Sequence, residues 1–237
     1  DDRDLLLRAL PENGVESVIN IGCDLKSSKA SVKLAEAYSH VYSSVGAHPH
    51  YVKSLTEESI RELTKLAKKK KVVAFGEIGL DFFHNISPQE EQRYWFKRLL
   101  YLTADLKLPA IIHSRDANSE VYKTIYSSPV RSGVIHAFSG DSELAKAYVE
   151  MGFFIGIGGV ITFKKTETLQ EAVRAVPLEH ILLETDCPYL APEPFRGKRN
   201  ESVFLTFVAE KIAKIKGVTV ETVYAQTNKN ARNLFNL

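Results

Sequence analysis

Side chains that can bind a metal stand at the ends of several short apolar runs in this sequence. Glu77 directly follows the run 72–76, where a carboxylate is costly unless a cation or several hydrogen-bond donors compensate its charge. His113, His136 and Asp186 end or follow three other apolar runs. Imidazole and carboxylate groups suit Zn²⁺, Mn²⁺ and similar divalent ions. Each residue alone is explained by ordinary hydrogen bonding, but the four together favour a divalent-metal site.

The elements that must position these residues are strands and helices in alternation, a pattern that predicts a parallel sheet. Seven strands are predicted, near residues 18, 44, 74, 111, 135, 156 and 183, and a helix over residues 1–10 precedes them. No linker or composition break interrupts this pattern, so we predict one domain over residues 1–237. Three helix starts are predicted from N-cap patterns: Ser54 with Glu57, Ser87 with Glu90, and Asp141.

The strand count predicts the fold. A TIM (β/α)8 barrel needs eight strands in about 250 residues, so we predict such a barrel with its first strand apparently absent from the given chain, either lying upstream of Asp1 or missing. A doubly wound open sheet is the alternative fold. No G-x-G-x-x-G follows the first predicted strand, however, as a dinucleotide-binding sheet would favour.

The histidines provide a test of the barrel prediction, because barrel chemistry lies at the carboxyl ends of the strands. Five of the seven end a predicted strand or follow one closely: His48, His50, His84, His113 and His136. The other two, His40 and His180, precede strands and are expected on the opposite face. This segregation favours a single site at one mouth of the barrel, with four candidate metal ligands: Glu77, His113, His136 and Asp186.

Groups that can bind phosphate are predicted on the same face as the metal ligands: His48, His50, Arg115, Arg196, Lys198 and Arg199. Arginine binds phosphate bidentately, and barrel loops after the last two strands often form phosphate sites. The alternative for 196–199 is a solvated charge run; the preceding prolines, which stiffen the loop, favour a functional role. The basic run 68–71 precedes a strand, so we expect it on the far face.

Composition excludes several classes of protein. Hydrophobic residues make up 44% and charged residues 25%, as in ordinary soluble proteins. No apolar run approaches the roughly 20 residues of a membrane span, and no secretory signal is seen. Cys23 and Cys187 form no CxxC pair, which favours a reducing, cytoplasmic setting. The net charge of +2 does not indicate a nucleic-acid partner, and no obligate protein partner is inferred.

Five motifs in order along the chain resemble the TatD-type metal-dependent deoxyribonuclease family. The resemblance extends over the whole chain, through 196–200 and 228–235. It implies a TIM-barrel hydrolase with two divalent ions (Zn, Mg or Mn) that cleaves phosphodiester bonds in its substrate DNA with metal-activated water. The motifs are Gly46–His50, Gly76–Asp81, His113–Arg115, His136–Gly140 and Glu184–Pro192.

The resemblance also implies a role for each matching residue. Glu77 would bridge the two metals and His113 and His136 would hold one of them. Asp186 would bind the other and accept the proton of the attacking water, so Glu77 and Asp186 are the expected catalytic residues. The family's D-x-H-x-H motif has no match here, so we expect the second metal to bind weakly. His48 and His50 match a different motif and are not assigned as that pair.

Two other functions remain open on the sequence. The same fold and ligand types support metal-dependent hydrolysis of small esters, lactones or amides. A barrel without its first strand could also be a non-catalytic binder of nucleic acid or protein, lacking a complete metal site. Metal content separates the binder from the two hydrolases, and competition by DNA against a chromogenic phosphodiester separates the two hydrolases from each other.

Overall fold

The computed structural model describes residues 2–237, so Asp1, the first residue of the predicted 1–10 helix, lies outside the described residues. The chain divides into two compact units, the first ending at Gly133 and the second spanning Val134–Leu237. The single domain over residues 1–237 stays a prediction. Within residues 2–237, none of the helices combines the length and apolar character that a membrane crossing requires.

The first unit contains four strands, each paired in parallel with the next along the chain. The strands are β1 (Val18–Asn20), β2 (Val41–Val45), β3 (Val72–Asp81) and β4 (Ala110–Arg115). The helices are α1 (Arg3–Ala9), α2 (Leu25–Ala37), α3 (Glu57–Ala67), α4 (Gln89–Leu106) and α5 (Asn118–Tyr126), with 3₁₀ turns at Pro11–Asn13 and Pro49–Ser54. Its core is formed by apolar side chains with almost no exposure, among them Leu63, Phe75, Ile78, Leu80, Phe96, Leu99 and Ile112.

Strand β3 is the central element of this unit, and all ten of its residues are buried. The apolar run therefore forms a strand covered on both faces, as predicted. Glu77 does not end the strand, which was the expectation; β3 continues to Asp81. The pairing with β4 shifts between Phe75 and Ile78, so Glu77 lies at an irregularity in the ladder rather than at its end.

A glycine allows β3 to approach β4 beside a candidate ligand. Gly79 pairs with His113 and has φ +152°, where an added Cβ would lie 1.9 Å from the His113 carbonyl oxygen. Only a residue without a side chain fits this backbone and this spacing. Gly79 therefore sets the distance between the two strands that carry Glu77 and His113.

The two predicted capping boxes are wrong. Helix α3 begins after Thr56, whose hydroxyl accepts the Ser59 amide at 3.2 Å, whereas Ser54 lies in a 3₁₀ turn. Helix α4 begins after Pro88 without a side-chain cap. The Ser87 hydroxyl donates instead to the His50 carbonyl oxygen at 2.9 Å. Tertiary hydrogen bonding thus replaces the local cap.

The second unit begins within β5 (Gly133–Ile135) and pairs β6 (Phe153–Ile157) in parallel with β7 (Ile181–Leu183). Its helices are α6 (Ser142–Glu150), α7 (Glu167–Ala175), α8 (Leu205–Lys216) and α9 (Val220–Phe235), with 3₁₀ turns at Gly159–Thr162, Leu178–His180 and Ser202–Phe204. Residues 2–237 thus contain all seven predicted strands. The predicted cap at Asp141 is confirmed, since its carboxylate accepts the Leu144 amide at 2.9 Å.

The core of the second unit is formed by buried apolar side chains, among them Tyr148, Phe153, Ile155, Ile181, Val208 and Ile212. Helix α9 is the last element of this unit. The buried Asn230 amide on α9 donates to the carbonyl oxygens of Leu178 and Ile181, each at 2.8 Å. These bonds hold the start of β7. Strands β5 and β7 end at Ile135 and Leu183, so His136 and Asp186 follow their strands rather than ending them.

Candidate metal centre

In the first unit, Glu77 and His113 form the closest pairing of candidate metal ligands. His113 Nδ1 lies 2.9 Å from Glu77 Oε1, and Glu77 is buried. A nitrogen lone pair and a carboxylate oxygen repel each other at this distance unless a positive charge lies between them. The donor types and their separation fit a divalent cation that both atoms would bind.

Asp81 determines which nitrogen of His113 faces Glu77. The Nε2–H of His113 donates to Asp81 Oδ2 at 3.1 Å, which leaves Nδ1 directed at Glu77. Burial alone would lower the pKa of His113, but the bonds to Asp81 and Glu77 outweigh burial and raise it. The two carboxylates thus favour positive charge at this ring, as a divalent cation bound between Nδ1 and Oε1 would supply.

Asp81 also holds two further histidines. Its Oδ2 accepts Nε2–H of His50 at 2.8 Å and Nδ1–H of His84 at 3.0 Å. Its Oδ1 accepts the His84 backbone amide at 2.8 Å. Burial opposes ionisation of this completely buried carboxyl, yet the donors from His113, His84 and His50 hold its pKa well below the usual range.

The backbone of Asp81 is fixed by a buried glutamine on α4. Gln92 Oε1 accepts the Asp81 amide at 2.8 Å, and its Nε2 donates to the carbonyl oxygens of Asp81 and Ser87. Every polar atom of this buried side chain is thereby paired, as burial requires. The network joins β3, α4 and the turn after β2 around one carboxylate.

The atoms of His50, Asp81 and His84 lie close enough together to hold a metal ion. Both rings, however, direct the nitrogen that would bind a metal at the same carboxylate oxygen. Hydrogen bonds account fully for this arrangement. We therefore assign Asp81 as the group that orients three imidazoles, in the way that carboxylates orient metal-binding histidines generally.

His48 lies beside Glu77 and has a different hydrogen-bonding pattern from His113. Its Nε2 is 3.9 Å from Glu77 Oε1, within reach of a shared metal. Its Nδ1, however, accepts the His50 backbone amide at 3.2 Å, so the proton of the neutral ring resides on Nε2. Burial lowers the pKa of His48 to about 3. His48 is thus a neutral ring that presents a donor, which suits an acceptor oxygen better than a metal.

In the second unit His136 also contacts two carboxylates. Its Nδ1–H donates to Glu184 Oε2 at 2.8 Å, which leaves Nε2 facing Asp186 Oδ1 at 3.0 Å. Glu184 is held in turn by the Ala137 amide at 2.6 Å. An added Cβ on Gly156 would lie 2.2 Å from the Glu184 carboxylate, so this glycine provides the space for it. His136 and Asp186 therefore form a second pair with the donor types of a divalent-metal site.

Sequence reasoning assigned no role to Asp81, His84 or Glu184. The available signals were the positions of Asp81 and Glu184, each a carboxylate within a few residues of a predicted ligand at the end of a strand. The structure pairs Glu77 with His113 and His136 with Asp186. That all four of these residues bind metal at one site stays a prediction.

The predicted phosphate-binding residues lie in different surroundings. His48 and His50 contact the Glu77–Asp81 network directly. Arg115 is exposed at the end of β4, with its guanidinium carbon 4.4 Å from the Phe83 ring centroid. The basic loop is also exposed, with Arg196 stacked over Phe163 at 4.3 Å and Arg199 bonded to Glu201 at 3.1 Å; Lys198 lies near Phe195.

Two side chains hold the basic loop in place. Phe195 stacks on Phe204 with ring centroids 4.4 Å apart, so its ring packs the loop. The buried Asn200 amide donates to the carbonyl oxygens of Thr185 and Tyr189. The loop that carries the basic residues is therefore fixed at its end, beside Asp186.

The family model described as TatD related DNase matches residues 1–236.

The chain belongs to the TatD family.

Among TatD relatives, an uncharacterized metal-dependent hydrolase, YabD of Bacillus subtilis, is 36% identical and aligns over 100% of this chain and 93% of its own. A 3'-5' ssDNA/RNA exonuclease, TatD of Pantoea ananatis, is 36% identical over 100% of this chain and 94% of its own. The crystal structure of the TatD homolog YjjV from Escherichia coli superposes with a TM-score of 0.93 and 29% identity. It covers 100% of this chain and 92% of that one.

These TatD comparisons confirm the predicted TIM-barrel fold, of which residues 2–237 supply seven strands. They also show that the chain is a metal-dependent hydrolase of this family.

Proposed function

We propose that this TatD-family chain is a divalent-metal-dependent nuclease that hydrolyses phosphodiester bonds in DNA. The observation that carries the proposal is the pairing of Glu77 Oε1 with His113 Nδ1 at 2.9 Å, with Asp81 holding the other ring nitrogen. The naming of several relatives as ssDNA/RNA exonucleases supports a nucleic-acid substrate.

Four residues would hold the metals, two ions in all: Glu77, His113, His136 and Asp186. A bound divalent cation supplies charge for the developing phosphoryl oxyanion and lowers the pKa of water toward neutrality. Glu77 and His113 present a matched oxygen and nitrogen in the first unit. His136 and Asp186 present the same two atom types in the second.

The chain's own groups would move the protons and position the substrate. Asp186 accepts the proton of the water whose oxygen bonds to phosphorus, while the phosphorus–oxygen bond to the leaving nucleoside breaks and that oxygen takes a proton from solvent. His48 is neutral and presents Nε2–H to a phosphate oxygen. The cationic groups that would bind the phosphates of the strand are Arg115, Arg196, Lys198 and Arg199, with His50 as a further polar contact.

Cleavage of a fluorescent single-stranded oligodeoxynucleotide with Mn²⁺, with and without EDTA, tests this function. We expect Glu77→Ala to remove bound metal and cleavage together, because it deletes the carboxylate that faces His113. His48→Ala should keep its metal and lose part of its activity, since Nδ1 of His48 is already engaged. Metal per chain is measured by mass spectrometry alongside the rate.

His40→Gln is the matched control, because His40 bonds the Leu7 carbonyl oxygen at 2.8 Å and precedes β2. Unchanged metal content in Glu77→Ala would refute the assignment. Hydrolysis of p-nitrophenyl acetate without any cleavage of DNA or of bis(p-nitrophenyl) phosphate would replace the nuclease with the small-ester hydrolase.

A further inference from the structure

An exposed aromatic ring follows the buried strand β3. Phe83 lies two residues beyond β3 and is 59% exposed. The preceding Phe82 is half-buried and is covered by Arg93, whose guanidinium carbon lies 5.0 Å from its ring centroid. Phe83 is left presenting its ring to solvent.

A guanidinium lies over this ring. Arg115 Cζ is 4.4 Å from the Phe83 centroid, and the Phe82 amide donates to the Arg115 carbonyl oxygen at 3.0 Å. The end of β4 and the segment after β3 are thus joined by their backbones and by their side chains. An aromatic plane and a guanidinium plane are held together at the surface.

This pair is connected to the candidate metal ligands through two side chains. The edge of the Phe83 ring meets the His84 ring at 88°, with centroids 4.9 Å apart. His84 bonds Asp81 at 3.0 Å, and Asp81 bonds His113 at 3.1 Å. The exposed ring is therefore positioned by the same carboxylate that orients His113.

We propose that Phe83 and Arg115 form a stacking site for an unpaired nucleobase of the substrate strand. The inference rests on the proposed function, because it requires a nucleic-acid substrate. Unpaired bases stack on aromatic rings and on guanidinium planes, and such stacking tolerates any base because every base has a π face. A base within a duplex cannot use this site, so the site selects single strands.

Binding of two oligonucleotides of equal length and charge tests the stacking site without requiring cleavage. One probe is a fluorescein-labelled oligothymidylate of about eight nucleotides, within the span of known single-strand sites. The other is the same chain built entirely of abasic tetrahydrofuran residues. Both are titrated in EDTA at low salt and followed by fluorescence anisotropy.

We expect the wild type to bind the oligothymidylate more tightly than the abasic chain. Phe83→Leu should weaken oligothymidylate binding about tenfold, the loss of one stacked base, and leave abasic binding unchanged. Phe83→Trp should retain the preference. Tyr94→Leu is the matched control, since Tyr94 is also exposed beneath an arginine, Arg98, but lies on α4.

Equal binding of both probes by the wild type, or equal weakening of both by Phe83→Leu, would overturn the stacking site. Cleavage assays with the same variants separate the two proposals. Cleavage of DNA without base-dependent binding at Phe83 would refute only the stacking site. Base-dependent binding without cleavage would refute only the nuclease function.

Discussion

Asp81 orients His113, the candidate metal-binding histidine of the first unit. Its carboxylate accepts hydrogen bonds from three imidazoles, and each bond fixes one ring tautomer. For His113 the consequence is chemical, because only the nitrogen without a proton can bind a metal. Nearly all of the acceptor capacity of the carboxylate is used. A neutral side chain in its place would accept fewer of these hydrogen bonds and carry no charge.

Asp81→Asn should therefore weaken metal binding by about 10- to 100-fold. Asparagine has a single acceptor oxygen and no charge, so His113 loses its preference for directing Nδ1 at Glu77. Titration calorimetry with Zn²⁺ measures the affinity, and ¹⁵N chemical shifts of the ring report the tautomer. An unchanged affinity together with an unchanged His113 tautomer would show that Asp81 has only a structural role.

At the scale of elements, the backbone of β3 determines how close the ligands lie. Gly46 and Gly76 also meet neighbouring backbone when a Cβ is added, but the tightest contact is at Gly79. The strand approaches β4 beside His113 because this position has no side chain. The glycine thus sets the separation of β3 and β4, and with it the distance between Glu77 and His113.

Gly79→Ala should destabilise the protein by roughly 3 kcal/mol, combining overpacking with an unfavourable φ, and should weaken metal binding. Gly217→Ala is the control: Gly217 also has positive φ (+67°), but its added Cβ would meet nothing within 4 Å. That change should cost only about 1 kcal/mol. Urea denaturation measures the free energy of unfolding of both variants. Equal losses would mean that φ strain alone, and not the approach to β4, accounts for the effect.

Strands and helix starts were predictable where residues close together in the sequence determine them. The apolar run before Glu77 predicts a doubly covered strand, and Asp141 predicts a helix start, because both signals depend on neighbours in sequence. The Ser87 cap failed because its hydroxyl is used by His50, 37 residues away. Glu184 was missed for the same reason, since its partner His136 lies 48 residues earlier. Long-range partners of this kind leave no local pattern.

At the scale of the whole molecule, the two units repeat one arrangement of charge. Each contains a histidine whose two nitrogens face two carboxylates, His113 with Glu77 and Asp81, and His136 with Glu184 and Asp186. In each trio one carboxylate orients the ring and the other is the proposed metal ligand. Two carboxylates around each ring are unfavourable to a polyanion such as DNA, so we expect DNA binding to use cations elsewhere on the chain.

The exposed basic loop offers three such cations, and its contribution can be measured from salt dependence. Replacing Arg196, Lys198 and Arg199 by glutamine should reduce the slope of log binding constant against log salt for single-stranded DNA by up to about 2, because each neutralised phosphate contributes about 0.7. Arg199 should contribute least, since it already bonds Glu201 at 3.1 Å.

The matched control carries the same charge change at Lys68, Lys69 and Lys70, which precede β3, whereas the basic loop follows a strand. Lys69 is also within 3.5 Å of Glu36, so part of its charge is already compensated. We expect the control to leave the slope nearly unchanged. If both triple variants lower the slope equally, DNA is attracted by net charge alone. If only the loop variant does, its cations contact phosphates directly, because the two variants have the same net charge and differ only in where the charge was removed.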